Sequence, residues 1–242
     1  MVEKVLPYSR DQVTQDTGWN CGPASGQTVI LSKTGQTLPE SVLAREMRTT
    51  QNGTDHISQV ANVLNARLGG GYIVRGIPND PPTRDQVELL WSDVVKSIDA
   101  GFGVVGNIMV PPSNYPRGTR GSSSPAYGGG MVYHYIAIMG YADDGPGGRH
   151  FWVADSGFRP FGYWCSLEQM ASMIAGKGYT AKPVAAPAPP PPAHLIANTE
   201  LGKRYPSRSK YRTSDAPIDT LAGFILNIDA RMHERWFEQG ER

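Results

Sequence analysis

Apolar residues recur first at helical spacing and then, past residue 102, in short strand-like runs. Residues 24–31 form an apolar segment of helical character, and Gly35 is a suitable residue to end it. Residues 39–47 predict a second short helix with Val42, Leu43 and Met47 on one face. In residues 54–68, Ile57, Val60, Ala61 and Leu64 follow the i, i+3, i+4, i+7 spacing of an amphipathic helix, closed by three glycines at 69–71. Thr83 with Gln86 three positions on reads as a capping box. The helix it opens runs through Val87, Leu90, Trp91, Val94 and Ile98 to a stop at Gly101.

The period then changes. Residues 103–110 (GVVGNIMV) are short, apolar and rich in β-branched side chains, the pattern of a buried strand. Residues 132–142 and 149–155 read as two further strands joined by a DDGPGG hairpin turn, and residues 161–165 as one more. Ser166, with Gln169 at the capping-box position, opens a last helix to Ala175. Residues 111–130 are a long loop of glycine, serine and proline, expected to be a mobile lid over a cleft. Helices followed by an antiparallel sheet make an α+β layout. We therefore expect a domain over residues 1–180 and a proline-rich linker over 181–194. Residues 195–242 should hold a basic segment and an amphipathic helix (Ile218, Leu221, Ile225, Ile228, Met232, Trp236). Such a helix must dock on the domain, self-associate or meet a partner.

Composition narrows the class. The 242 residues are 39% hydrophobic and 19% charged, with a net charge of +1, so no global field recruits nucleic acid or anionic lipid. No apolar run reaches the ~20 residues of a membrane span. The first residues, MVEKVLPYSRDQ, lack the apolar centre of a signal peptide. Two cysteines make no disulfide framework, and with the five histidines they show no zinc-site spacing, so neither metal nor cofactor is expected.

The chemistry centres on QDTGWNCGPAS, residues 15–25. Cys21 stands at the mouth of a predicted helix, where unpaired N–H groups and the helix dipole favour a thiolate. Equally, a lone cysteine is often a small buried hydrophobe. His134, in an apolar strand just after the flexible loop, is the best candidate base, against the alternative of a satisfied core histidine. His56 falls in the first turn of a helix, His150 is expected to be exposed, and His194 and His233 lie beyond the linker. If the two strands form a hairpin, Asp155 lies near His134 and accepts its ring N–H; otherwise it is a strand-end turn residue. Gln15 is a candidate oxyanion donor. Trp19, Tyr133 and Tyr135 either line a substrate subsite or are core. Cys165, beside Trp164, is expected to pack.

Gln-x5-Cys-Gly-Pro at the head of a helix, His-Tyr in a strand and Asp-Ser-Gly after the next strand resemble the papain-like cysteine peptidases of the bacteriocin-leader-processing type, over about residues 8 to 180. The resemblance implies a helical half carrying cysteine packed on an antiparallel sheet carrying histidine and aspartate. It makes Cys21 the nucleophile, His134 the base and then acid, Asp155 the orienting group and Gln15 the oxyanion donor. A stand-alone peptidase followed by a proline-rich stretch further resembles the N-terminal peptidase module of actinobacteriophage endolysins. That likeness implies peptide-bond cleavage in peptidoglycan during host lysis, after release from the host cytoplasm by a holin. The apolar stripe of the terminal helix is expected to be an interaction element, for a second copy or, in a lysis system, a partner lysis protein. The alternatives are a protein or leader-peptide substrate, or a non-catalytic virion or binding protein keeping the fold.

Overall fold

The computed structural model describes residues 2–184, 203–206 and 217–220. The chain divides into one compact unit over Met1–Pro187 and a second over Ala188–Arg242. In the first, β1 (Val2–Val5) leads into a cluster of helices: α1 (Cys21–Thr34), α2 (Glu40–Glu46), α3 (Ile57–Leu68) and, after β2 (Ile73–Gly76), α4 (Arg84–Asp99). Then come β3 (Val104–Val110), β4 (Val132–Asp143), β5 (Arg149–Ala154), β6 (Gly162–Ser166), α5 (Leu167–Ile174) and β7 (Gly178–Ala181). The sheet is antiparallel, ordered β2-β7-β3-β4-β5-β6. Past a register shift between Ile138 and Gly140, β1 pairs with the far end of β4. The α+β layout is as the hydrophobic periods predict.

Helix α1 is the centre of the packing: every residue from Cys21 to Ile30 is buried, against α2, α3, β3 and β4. A helix covered on all sides shows no stripe, and small residues let its neighbours approach. Gly22 is required there, because a Cβ would lie 2.5 Å from Thr54 Oγ1. The predicted ends of α1 and α4 hold: Gly35 closes α1 at φ 71°, and Thr83 and Gln86 form a reciprocal capping box on α4. Ser166 caps α5 by accepting from Gln169 N–H, while the Gln169 amide turns away to Tyr115 O and Arg117 N–H.

Three strands escape the sequence pattern: β1, β2 and β7, each four residues long. Four residues carry too little alternation to read. β7 is a strand because β2 and β3 pair with it on either side. Helix α3 begins at Ile57 rather than Thr54, and His56 is its N-cap rather than a first-turn residue. Thr54 is held out of the helix, its hydroxyl sharing a hydrogen bond with Thr49 and its carbonyl accepting from Tyr135.

His150, expected at the surface, is buried between Thr119 Oγ1 and Gly147 O. The 111–130 loop is fastened rather than loose. Tyr115 donates to Gly130 O, Thr119 N–H to Trp164 O, and Ala126 N–H to Arg159 O.

In the second unit, β8 (Arg204–Pro206) pairs antiparallel with β9 (Pro217–Thr220). The helix expected to start near residue 216 therefore does not start there. Pro217, lacking an N–H, suits the edge of a two-stranded ribbon. The remainder of that helix, most of the basic run and the proline-rich linker beyond residue 184 lie outside the described residues. Among the described residues no helix is long and apolar enough to cross a membrane.

Candidate active site

Cys21 is the first residue of α1, with Asn20 as N-cap. The first turn leaves the N–H groups of Cys21 and Gly22 without backbone acceptors, and Pro23 has none to offer. The 15–20 segment that delivers the thiol is clasped from two sides. Gln15 N–H donates to Ser156 O at 3.1 Å, and Asp16 N–H donates to Glu40 Oε2 at 3.0 Å. Glu40 is buried at the head of α2 and bonds the Asn20 side chain as well; burial raises its pKa above the ordinary carboxylate range.

His134 and Asp155 arrive on the hairpin. Pairing of Ala137 with Ala154 puts Asp155, one residue past β5, at the end of the sheet where His134 enters β4. His134 Nε2 lies 3.0 Å from Asp155 Oδ1, which leaves Nδ1 for Cys21, to which the ring is also hydrogen bonded. Both side chains are buried, Asp155 completely. That burial is tolerated because the carboxylate accepts from five donors. They are His134, the N–H groups of Gly157 and Phe158, and the hydroxyls of Tyr127 (2.8 Å) and Tyr163 (3.4 Å). Gly157 closes over the imidazole, and a Cβ there would stand 3.0 Å from His134 Cε1.

These contacts set the charges. Burial works to push the Cys21 thiol up, but the hydrogen bond and charge of His134, with N–H groups of Tyr135 and Gly22, bring it below its ordinary value. Burial works against charge on His134 too, yet Asp155 and then Cys21 raise it to about 10. Both shifts favour the thiolate–imidazolium form of the pair, the reactive form of a cysteine nucleophile.

Of the sequence candidates, Cys21, His134 and Asp155 converge. Gln15 comes close, with its Oε1 3.5 Å from a Cβ built on Gly157; its Nε2 donates to Thr17 O at 2.6 Å and its Oε1 accepts from Ser156. A cavity of about 210 Å³ opens beside Cys21 and His134. Tyr133 (63% exposed) and the buried Tyr135 line it, together with Thr54, Asp55, Asn107 and Lys177. Trp19 is exposed and is not among the lining residues, although its carbonyl adjoins Gly53, which is.

Sequence reasoning missed Glu40, Tyr127, Asp55, Asn107 and Lys177. None of them stood out in the sequence: Tyr127 is one of two tyrosines in the 111–130 loop, and the others are ordinary polar or charged residues. Among the described residues no three or more His, Cys, Asp and Glu side chains converge as a metal site would require.

No curated protein matches the sequence significantly. Among solved structures, a C39-like peptidase from Bacillus anthracis has a TM-score of 0.46 at 13% identity, covering 75% of this chain and 98% of that one. The peptidase domain of Streptococcus ComA, a bifunctional ABC transporter, gives 0.42 at 16% identity, covering 70% and 96%. Bromelain from Ananas comosus gives 0.43 at 11%, covering 71% and 92%. The assignment rests on the family model named Peptidase_C39 like family, which matches residues 5–182 and so spans α1, the whole sheet and every residue of the site. With a cysteine at the head of a buried helix and its histidine and carboxylate on the sheet, the chain is a cysteine peptidase and belongs to the Peptidase_C39-like family.

Proposed function

We propose that the protein hydrolyses peptide bonds of bacterial peptidoglycan, with Cys21 as nucleophile, His134 as acid and base, and Asp155 as orienting group. Cys21 Sγ attacks the carbonyl carbon of the scissile bond, and the oxyanion is held by the Cys21 N–H, with the Gln15 amide as a second donor. His134 passes its proton to the leaving amine, which departs as the C–N bond breaks to give a thioester. Neutral His134 then takes a proton from water, the hydroxide adds to the thioester carbonyl, and the acid is released as the C–S bond breaks. Asp155 keeps Nε2 protonated, so Nδ1 does the transfers.

The observation that carries the peptidoglycan reading is the cavity beside Cys21, whose lining is polar and charged apart from Gly53 and the rings of two tyrosines. Apolar side chains of a protein substrate find little to bury there. A short polar stem or bridge peptide fits it better. The endolysin-like arrangement of the sequence supports the same reading and a role in host lysis.

The test is release of free amino groups from purified peptidoglycan by the wild type and by Cys21→Ala, with mass spectrometry of the fragments. Release that disappears in the variant is the expected result. No release, with Cys21 still alkylated rapidly at neutral pH, transfers the same chemistry to a leader peptide or other protein substrate.

A further inference from the structure

The space beside Cys21 does not end at its first wall. A second cavity of about 230 Å³ shares Asp55, Asn107 and Lys177 with it and continues to His56 and Arg75. The shared stretch holds opposite charges that do not meet. Asp55 and Lys177 form no ion pair with each other or with any other group among the described residues. Lys177 Nζ stands 5.1 Å from the centre of the Tyr133 ring, which is its one close polar or ring contact. Asn107 spends its Nδ2 on Tyr135 Oη at 3.2 Å, and its Oδ1 takes no hydrogen bond. Arg75 is already engaged, 3.2 Å from the buried Asp93. The lining shared by the two cavities therefore holds a lysine and a carboxylate that form no ion pair among the described residues, together with an amide oxygen that takes no hydrogen bond.

We propose that this groove recognises an amino-acid head group, an ammonium and a carboxylate on the same carbon, carried on a side chain of the peptide that Cys21 cleaves. Lys177 takes the carboxylate, Asp55 and Asn107 Oδ1 take the ammonium, and the exposed Tyr133 ring flanks them. The two charges line the same two cavities without pairing with each other, so one ligand carrying both opposite charges can engage both. A peptide of common amino acids has no such group within its chain: its first residue pairs an amine with an amide, and its last pairs a carboxylate with an amide. A diamino-dicarboxylic acid residue with its second head free does present one. The inference rests on the reading of Cys21 as a peptidoglycan peptidase and names the substrate class within it.

Calorimetric titration of the full chain carrying Cys21→Ala separates binding from cleavage. The probes are three tripeptides that share a central 2,6-diaminopimelate residue: one with its head free, one with the head carboxylate amidated, one with the head amine acetylated. The free head is expected to bind about ten-fold more tightly than either, the usual size of a charge-assisted contact. Adding Lys177→Met should erase the preference over the amide alone, and Asp55→Asn the preference over the acetylated peptide alone; Lys177→Arg should retain both. Both side chains line a solvent-filled groove rather than the core, and matching thermal unfolding midpoints confirm intact folds. Equal affinity for the three peptides, no binding of any, or preferences that survive both substitutions would overturn the proposal. Failure of the wild type to cleave peptidoglycan overturns the parent reading without altering these affinities.

Discussion

The head of α1 and the end of β6 each bury one cysteine, and the two thiols differ in everything but burial. Cys21 is 9% exposed and Cys165 is fully buried. Around Cys165 there is apolar packing and the distant charge of Glu168, so burial pushes its thiol up to about 12. Its one polar contact is a weak 3.7 Å bond to Gln169 Oε1. Around Cys21 there are an imidazolium and two N–H groups, and the thiol goes down. Burial thus penalises both thiolates, and the donors within reach decide which one forms.

The comparison breaks most sharply on removal. Cys21→Ala should lower kcat by ~10⁴-fold or more, measured as amine release, while Cys165→Ala should leave it within about two-fold. Next in size, Asp155→Asn should reduce kcat by ~10²–10⁴-fold, because His134 loses both its orientation and the charge that keeps it protonated. The same variant should slow iodoacetamide labelling of Cys21 at neutral pH.

The pH dependence sharpens the contrast further. Cys21 titrates below its ordinary value, so its thiolate and the stability that goes with it are lost as pH falls through that lowered value. His134 titrates above its ordinary value, so its charge is present at low pH and lost as pH rises through about 10. Cleavage should be bell-shaped between these limits, with labelling of the folded protein confined to Cys21 across the range. Labelling of Cys165 below pH 10 in folded protein would contradict the difference. Smaller again, Tyr127→Phe should lower kcat by about two- to ten-fold, since it removes one of five donors to Asp155. Smallest in function, Cys165→Ala should cost ~1–2 kcal/mol of stability as a buried sulfur leaves a small void, measured by urea unfolding.

What could be read beforehand follows the same division between local and distant causes. The helix ends at Gly35 and Thr83 and the buried run at β3 were legible because the residues that make them are neighbours in sequence. Cys21, His134 and Asp155 were legible as candidates because each stands at a readable landmark: a helix head, a strand entrance, a strand end. β7 was not legible, since its strand character comes from β2 and β3. Nor were Glu40, Tyr127 and Lys177, which reach the site from a short helix, a glycine-rich loop and a turn. Their contribution exists only once those segments are packed. The 111–130 loop shows the cost of reading composition alone: glycine and serine suggested a lid, and Tyr127 instead makes the loop a brace for Asp155.

The clasp of Gln15 and Ser156 has a consequence for how the protein is made. The thiol leaves the ribosome before its imidazole, its carboxylate and the turn that grips the 15–20 segment have been synthesised. Until β4 is in place, Cys21 lacks the hydrogen bond and charge of His134 that lower its thiol. The order of synthesis thereby makes the site complete only when the domain has closed on itself.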